Sequence, residues 1–263
     1  MRRARFVRVV VRRADLRIPL PKTFSARLTG LTVLAVRRRA KYLLAELSSD
    51  ETLVMHLGMS GSFRADLDGN AGRSGAGMAE KPRRHDHVVF HMSSGAIVTF
   101  NDPRRFGFMD LVPPGQLANY PALRALGPEP LSADFDAAAL AAACKGKKTS
   151  LKVTLLDQRV VAGLGNIYVS EALHLAGLSP QRRASTIATP SGLPRETAYR
   201  LTAAIKQVLE KAINRVSDRK YRSSRFRVYD RENERCRSAR CGGMIKRRTQ
   251  AGRSTFYCPS CQR

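Results

Sequence analysis

The 263-residue sequence has no tryptophan, 21 acidic residues against 47 lysines and arginines, and only five cysteines. Each shortage excludes something. The acid deficit leaves a formal net charge of +26 at neutral pH, far beyond what solubility needs, which argues against a cationic partner and for a polyanion. No apolar run approaches the roughly 20 residues of a membrane-spanning helix, so no membrane role is expected. The stretch from Met1 to Arg17 is basic, but its apolar centre, Phe6 to Val11, is β-branched and reads as a strand rather than the apolar region of a signal peptide. An odd cysteine count does not suit a disulfide framework. It points to a reducing compartment, the cytoplasm, and to a metal site. No internal repeat is visible.

Four of the five cysteines crowd the carboxyl end. Cys236 and Cys241 are followed, after sixteen residues, by Cys258 and Cys261, the second pair spaced as in a zinc knuckle. Four thiolates on two short turns make a closed tetrahedral set, suited to one structural Zn²⁺ and leaving no open position for catalysis. Gly242, Gly243 and the β-prone Ser254–Tyr257 predict a two-stranded hairpin between the pairs, with Arg253 on it. Cys144, alone after an alanine-rich run, reads as a small buried hydrophobe.

Up to about residue 112 the chain consists of short apolar or β-branched runs broken by turn residues: Phe6–Val11, Leu31–Val36, Tyr42–Leu47, Leu53–Leu57, His87–Met92 and Ala96–Phe100. Such spacing predicts an antiparallel sandwich over 1–113. Asp66 to Arg84, glycine-rich and charged, is expected to be a surface loop. Past Pro113 and Pro114 the pattern turns helical: Asp134–Cys144 with Ser132 as its cap, Leu151–Asp157, Asn166–Ala176 ending at Gly177, and Pro194–Val216. The expectation is an α+β multidomain chain, with helices over 114–219 and a zinc-held segment over 220–263 that cannot bury much core without its metal.

The cysteine spacing with Cys241-Gly242-Gly243-Met244-Ile245 and Gln250 to Cys261 resembles the zinc finger of the bacterial formamidopyrimidine-DNA glycosylase family. Six further stretches resemble that family in its order: Arg39 to Leu44, His56 to Gly61, His85 to His87, Asp102 to Gly107, Leu126 to Leu131 and Gly163 to Tyr168. The match covers nearly the whole chain. It implies a base-excision-repair glycosylase and abasic-site lyase that acts as a monomer on double-stranded DNA. Its substrates would be oxidised purines, such as 8-oxoguanine and formamidopyrimidines, and its helices a helix-two-turns-helix element. An enzyme that attacks a sugar inside a duplex must extrude the damaged nucleotide, at a cost of a few kcal/mol of stacking. Met59, Arg104 and Phe106 match the family's residues that fill the resulting void. His85, Lys147 and Asn166 match its DNA contacts, Asn166 standing where a glycine-flanked turn enters a helix. Other basic residues, such as the Lys145 to Lys152 run and Arg215 to Arg227, are expected to be surface charge that neutralises phosphates.

The family's nucleophile is an amino-terminal proline beside a glutamate. An α-amine titrates near ~8 against ~10.4 for lysine, so more of it is nucleophilic at neutral pH. Lys41 matches the proton donor of β-elimination and Arg253 the arginine of δ-elimination and phosphate grip. Here the chain opens Met-Arg-Arg-Ala-Arg, without that proline or glutamate. Aligning Val9–Leu20 with the family's early strand suggests that the leading segment is absent. Of a start placed too far downstream and a genuine loss of the nucleophile, the first is favoured, because Lys41, Arg253 and the void-filling trio persist; the chain as it stands is then inactive. Two other readings stay open: a non-catalytic binder of damaged DNA, and a zinc-ribbon protein of RNA, which leaves the trio unexplained. Between Val216 and Arg235 the chain carries Asp218 to Ser224 in place of the family's glycine- and threonine-containing loop, which leaves base preference open.

Overall fold

The computed structural model describes residues 1–67, 83–217 and 226–263. They form two compact units, Met1–Arg124 and Ala125–Arg263. The stretches around Asp66–Arg84 and Asp218–Ser224 fall mostly outside the described residues.

The first unit is an antiparallel sandwich. Strands β1 (Phe6–Val11), β6 (Asp86–Met92), β7 (Ile97–Asn101) and β5 (Ser62–Asp66) form one sheet in that order. The other runs β2 (Val33–Arg39), β3 (Tyr42–Leu47), β4 (Thr52–His56), β8 (Phe108–Val112). Inward residues of both sheets share one core that includes Phe6, Val33, Leu53, Phe90, Phe100 and Met109. Phe6 and Phe90 pack with ring centroids 5.4 Å apart. Six strands lie within a few residues of their expected places. Two strands and the short helix α1 (Phe24–Leu28) are additions. Their signals are weak for physical reasons: β5 is an edge strand with polar ends, and β8 is interrupted by Asp110, whose carboxylate takes a 2.9 Å hydrogen bond from the Tyr120 hydroxyl.

The second unit is helical and carries the cysteine-bearing hairpin. Helices α2 (Ala137–Cys144), α3 (Leu151–Leu156), α4 (Asn166–Leu175) and α5 (Glu196–Ser217) pack around Phe135, Leu140, Leu155, Leu173 and Leu201. α5 buries Ala198, Leu201, Ala204 and Ile205, the three- and four-residue spacing of one helix face. Cys144 is fully buried in this core, and burial pushes its thiol up to about 11, as expected of an inert packing residue. α4 ends as Gly177 predicts. Gly177 takes a left-handed φ of 67°, and the N–H groups of Gly177 and Leu178 donate to the carbonyls of His174 and Leu173. α2 corrects the expectation for its cap. Ser132 bonds back to the Glu129 carbonyl, and Asp136, one residue before the helix, accepts from the Ala139 N–H at 2.7 Å. The hairpin is β9 (Lys246–Gln250) paired with β10 (Arg253–Tyr257), turning through Ala251 and Gly252, both at positive φ.

Asp136→Ala removes the only side-chain cap of α2 among the described residues. It is expected to lower unfolding free energy by about 1 kcal/mol, measured by denaturant titration of that transition.

Candidate nucleic-acid interface and metal centre

In the first unit two loops meet backbone to backbone. One follows β4 through Leu57, Gly58, Met59, Ser60 and Gly61; the other runs from Asp102 to Gly107 ahead of β8. Gly58 sits at φ 66°, and a Cβ there would stand 2.4 Å from the Phe106 carbonyl carbon. At Gly107 a Cβ would stand 2.7 Å from the Phe100 ring. Only glycine allows the loops this close. Between them Asp102 is fully buried. Its carboxylate accepts from the Ser60 hydroxyl at 2.6 Å, the Gly107 N–H at 2.8 Å and the Arg104 N–H at 3.3 Å. Burial alone would raise this carboxyl, but those donors outweigh it and hold it below the usual carboxylate range.

What the clamp presents is apolar. Met59 is 71% exposed and Phe106 42%, the Arg104 guanidinium lying 4.7 Å above the Phe106 ring. The three residues expected to fill a void in DNA thus project from one pair of joined loops. Asp102 and Ser60, which hold them, were not singled out from sequence although both lie inside motifs that were, because a loop aspartate looks the same whether solvated or buried.

Lys41 is exposed in the two-residue turn between β2 and β3, beside Ala40 at φ 51°. It lies close enough to His56 that burial, then the charges of Arg17 and Lys41, hold that imidazole below its usual range. His56 stacks on Phe108, with rings 5.6 Å apart. His85 is half-buried with φ 74°, at the turn where buried Asp86 begins β6, its ring 6.4 Å from that of His87. A left-handed histidine costs about 1–3 kcal/mol, which the surrounding bonds to Asp86 sustain.

In the second unit Asn166 is the first residue of α4, where a helix start leaves amides without intrahelical acceptors. Its Nδ2 donates to the Ser254 carbonyl of β10 at 2.9 Å. Lys147 is half-buried in the turn between α2 and α3. Arg253 is exposed at the first position of β10, next to the hairpin turn. Lys152 corrects the surface reading of the Lys145–Lys152 run: it is fully buried. Its Nζ donates to the Ser254 carbonyl at 2.9 Å and to Thr255 Oγ1 at 2.6 Å. Burial, then the charge of Arg253, draws this amine down to about 8. Ser254 therefore receives two side chains, from α3 and from α4.

The sulfur atoms of Cys236, Cys241, Cys258 and Cys261 all lie within 4.8 Å of one another. Burial opposes ionisation of Cys258, but the N–H groups of Cys261 and Ser260 outweigh it and draw this thiol down to about 7. A four-sulfur cluster with amides turned toward a ligand fits one structural zinc and offers no open position. The metal would tie together a segment whose buried apolar side chains, among the described residues, are Phe226, Val228, Ile245, Phe256 and Cys258. The surroundings are tied to α4. Glu171 accepts the N–H groups of Arg227, Val228 and Tyr229 at 2.8–3.0 Å, and Gln262 donates to the Leu178 carbonyl at 2.9 Å. Among the described residues no helix is long and apolar enough to cross a membrane.

Comparison with known proteins covers both units. Residues 1–109 match the model of the formamidopyrimidine-DNA glycosylase N-terminal domain, 126–222 that of the H2TH domain of the same enzymes, and 234–263 that of a zinc finger found in FPG and IleRS. A formamidopyrimidine-DNA glycosylase of Rhodopseudomonas palustris is 58% identical over 268 residues, covering 96% of this chain and 90% of its own. One from Afipia carboxidovorans is 54% identical over 278 residues, covering 100% and 94%. Among solved structures, the Lactococcus lactis enzyme non-covalently bound to DNA containing an AP site superposes with a TM-score of 0.80 at 29% identity, covering 99% of this chain and 92% of that one. MutM in complex with DNA containing carbocyclic 8-oxo-G superposes at 0.82 with 30% identity, covering 99% and 92%.

Two outcomes follow from this geometry. Asp102→Asn is expected to lose about 1–3 kcal/mol at neutral pH by breaking a buried charged network. The folded carboxyl lies below its unfolded value, so the stabilisation is present above about pH 4 and disappears as pH falls through the folded value. Melts of both proteins should therefore converge in acid and stay separated above it. Stripping the metal with a chelator is expected to abolish amide protection across 226–263 while β1–β8 keep theirs, read by hydrogen exchange.

Proposed function

The chain belongs to the formamidopyrimidine-DNA glycosylase family, base-excision-repair enzymes that remove oxidised purines from DNA, and from that premise we propose which of its residues carry the work. The observation that supports the assignment most is the exposed Met59, Arg104 and Phe106 on two loops locked by a saturated buried carboxylate. Exposed apolar side chains on a rigid support serve a partner rather than the fold. Met59 and Phe106 occupy the stack vacated by the extruded nucleotide, and the Arg104 guanidinium bonds the cytosine left without its mate. This offsets the few kcal/mol lost in unstacking.

Lys147, Asn166 and the first amides of α4 hold backbone phosphates, with His85 a further contact from the first unit. Lys41, exposed at its turn, supplies the proton in β-elimination. Arg253 grips the phosphate at the nicked strand and serves δ-elimination. Zinc, when bound, supplies no chemistry of its own; its four cysteines set the hairpin that carries Arg253. The three segments expected from sequence, 1–113, 114–219 and 220–263, then correspond to void filling with proton transfer, phosphate holding, and hairpin grip. We place the protein in the cytoplasm with chromosomal DNA, acting as a monomer.

The test uses protein produced from its own gene, on a duplex with one 8-oxoguanine opposite cytosine. Release of the base and a nicked strand are expected; binding without either would overturn the enzymatic reading. Arg104→Ala is expected to cost about 5- to 150-fold in affinity for that lesion duplex, from about 1–3 kcal/mol of base contact, and to relax the preference for cytosine. Lys147→Ala should weaken lesion and intact duplexes alike and reduce the salt slope by about one.

A further inference from the structure

One buried group is used by neither the DNA contacts nor the four-sulfur set. His174, near the end of α4, is 3% exposed, and its Nε2 lies 3.2 Å from the Cys236 sulfur and 3.3 Å from the Ser238 hydroxyl. Its other ring nitrogen, Nδ1, is buried with no hydrogen-bond partner among the described residues. Cys236 also receives the Ser238 N–H at 3.4 Å.

We propose that His174 is a positioning residue for the metal, its Nε2–H donating a hydrogen bond to the Cys236 sulfur and thereby fastening that ligand, and the centre with it, to helix α4. The contact fixes the tautomer. A metal-bound thiolate offers only lone pairs, so it attracts an N–H and repels a bare ring nitrogen. With the proton on Nε2, the unpartnered Nδ1 is an acceptor, the less costly group to leave alone in a protein interior. The opposite tautomer would bury an unmatched N–H and set two lone pairs against each other. A space-filling histidine needs neither the short contact nor this arrangement.

The bond has a defined consequence for the centre. A donor on a ligand from outside the metal loop orients that ligand and opposes its dissociation, and removing such partners costs about 10–100-fold in metal affinity. Cys236 is the ligand that gains most. It opens the first, wider pair, with four residues before Cys241, whereas Cys258 and Cys261 hold the tight spacing. His174 supplies from α4 the constraint that this wider spacing lacks.

The test compares zinc-loaded wild type with His174→Phe, which keeps a ring and loses the donor, and His174→Gln, which keeps a donor amide. Transfer of zinc to an excess of chromogenic chelator is expected to run about tenfold faster from the phenylalanine variant and near the wild-type rate from the glutamine variant. Wild-type transfer from His174→Phe would overturn the proposal. So would equal acceleration in both variants, which assigns the effect to shape. Should the phenylalanine variant fail to fold, the unaltered protein decides, loaded with ¹¹³Cd and labelled with ¹⁵N in histidine. A proton on Nε2 coupled to cadmium through the sulfur is expected; a proton on Nδ1 would overturn the assignment.

Discussion

The metal-sized cluster of four sulfurs is the constraint on which the second unit rests. Residues 226–263 bury too few apolar side chains to offset the entropy of ordering them, so their fold must be stapled. Once the hairpin is fixed, its Ser254 carbonyl becomes a fixed acceptor. Lys152 from α3 and Asn166 from α4 both converge on it. The residue that opens α4 is thus set by the same hairpin that carries Arg253. Helix α4 holds the metal segment at three further heights: Glu171 takes three backbone N–H groups, His174 meets Cys236, and Leu178 just past its end receives Gln262. Loss of the metal would therefore disturb the amino-terminal end of α4, where Asn166 bonds the Ser254 carbonyl.

The first unit solves a similar problem without metal. Met59 and Phe106 gain nothing from water and would be expected to fold back onto the surface. A buried charge prevents this. Asp102 has its oxygens bonded to donors from both loops, and breaking one contact leaves an uncompensated carboxylate in the interior, so the loops move together or not at all. Glycines at 58 and 107 make this possible by letting backbones approach where any Cβ would collide. Rigidity matters energetically: a wedge that must be ordered on binding spends part of its contact energy on that ordering.

Much of this was legible in the sequence where chemistry is written locally. β-Branched runs placed six strands, Gly177 placed the end of α4, and the cysteine spacing defined the metal set. The trio Met59, Arg104 and Phe106 became legible only through resemblance, since an exposed and a buried phenylalanine have the same neighbours in sequence. Burial of polar groups was the systematic gap. Lys152 sits in a run of lysines and looks like its neighbours. Only the packing of the six-residue helix α3, with Leu151 and Leu155 fully buried on either side, shows that this one amine turns inward. His174, in an apolar stretch of α4, reads as a core residue until the Cys236 sulfur is found beside it. Ser132 was expected to cap α2, but the residue that does so is Asp136, whose carboxylate reaches the Ala139 amide.

The +26 charge takes on a more specific meaning against this structure. Long-range attraction depends on total charge and is screened over about 10 Å, so most of the 47 basic residues serve approach and are interchangeable. A few are not. Arg104 lies over the Phe106 ring, Lys152 is buried and makes two hydrogen bonds to the hairpin, and Arg253 stands beside the hairpin turn, adding to burial in lowering the proton affinity of Lys152. Like charges held near each other raise the free energy of the unliganded surface, and a phosphate placed beside Arg253 relieves it. The buried lysine that shares the Ser254 carbonyl with Asn166 is thus also a source of repulsion at the hairpin.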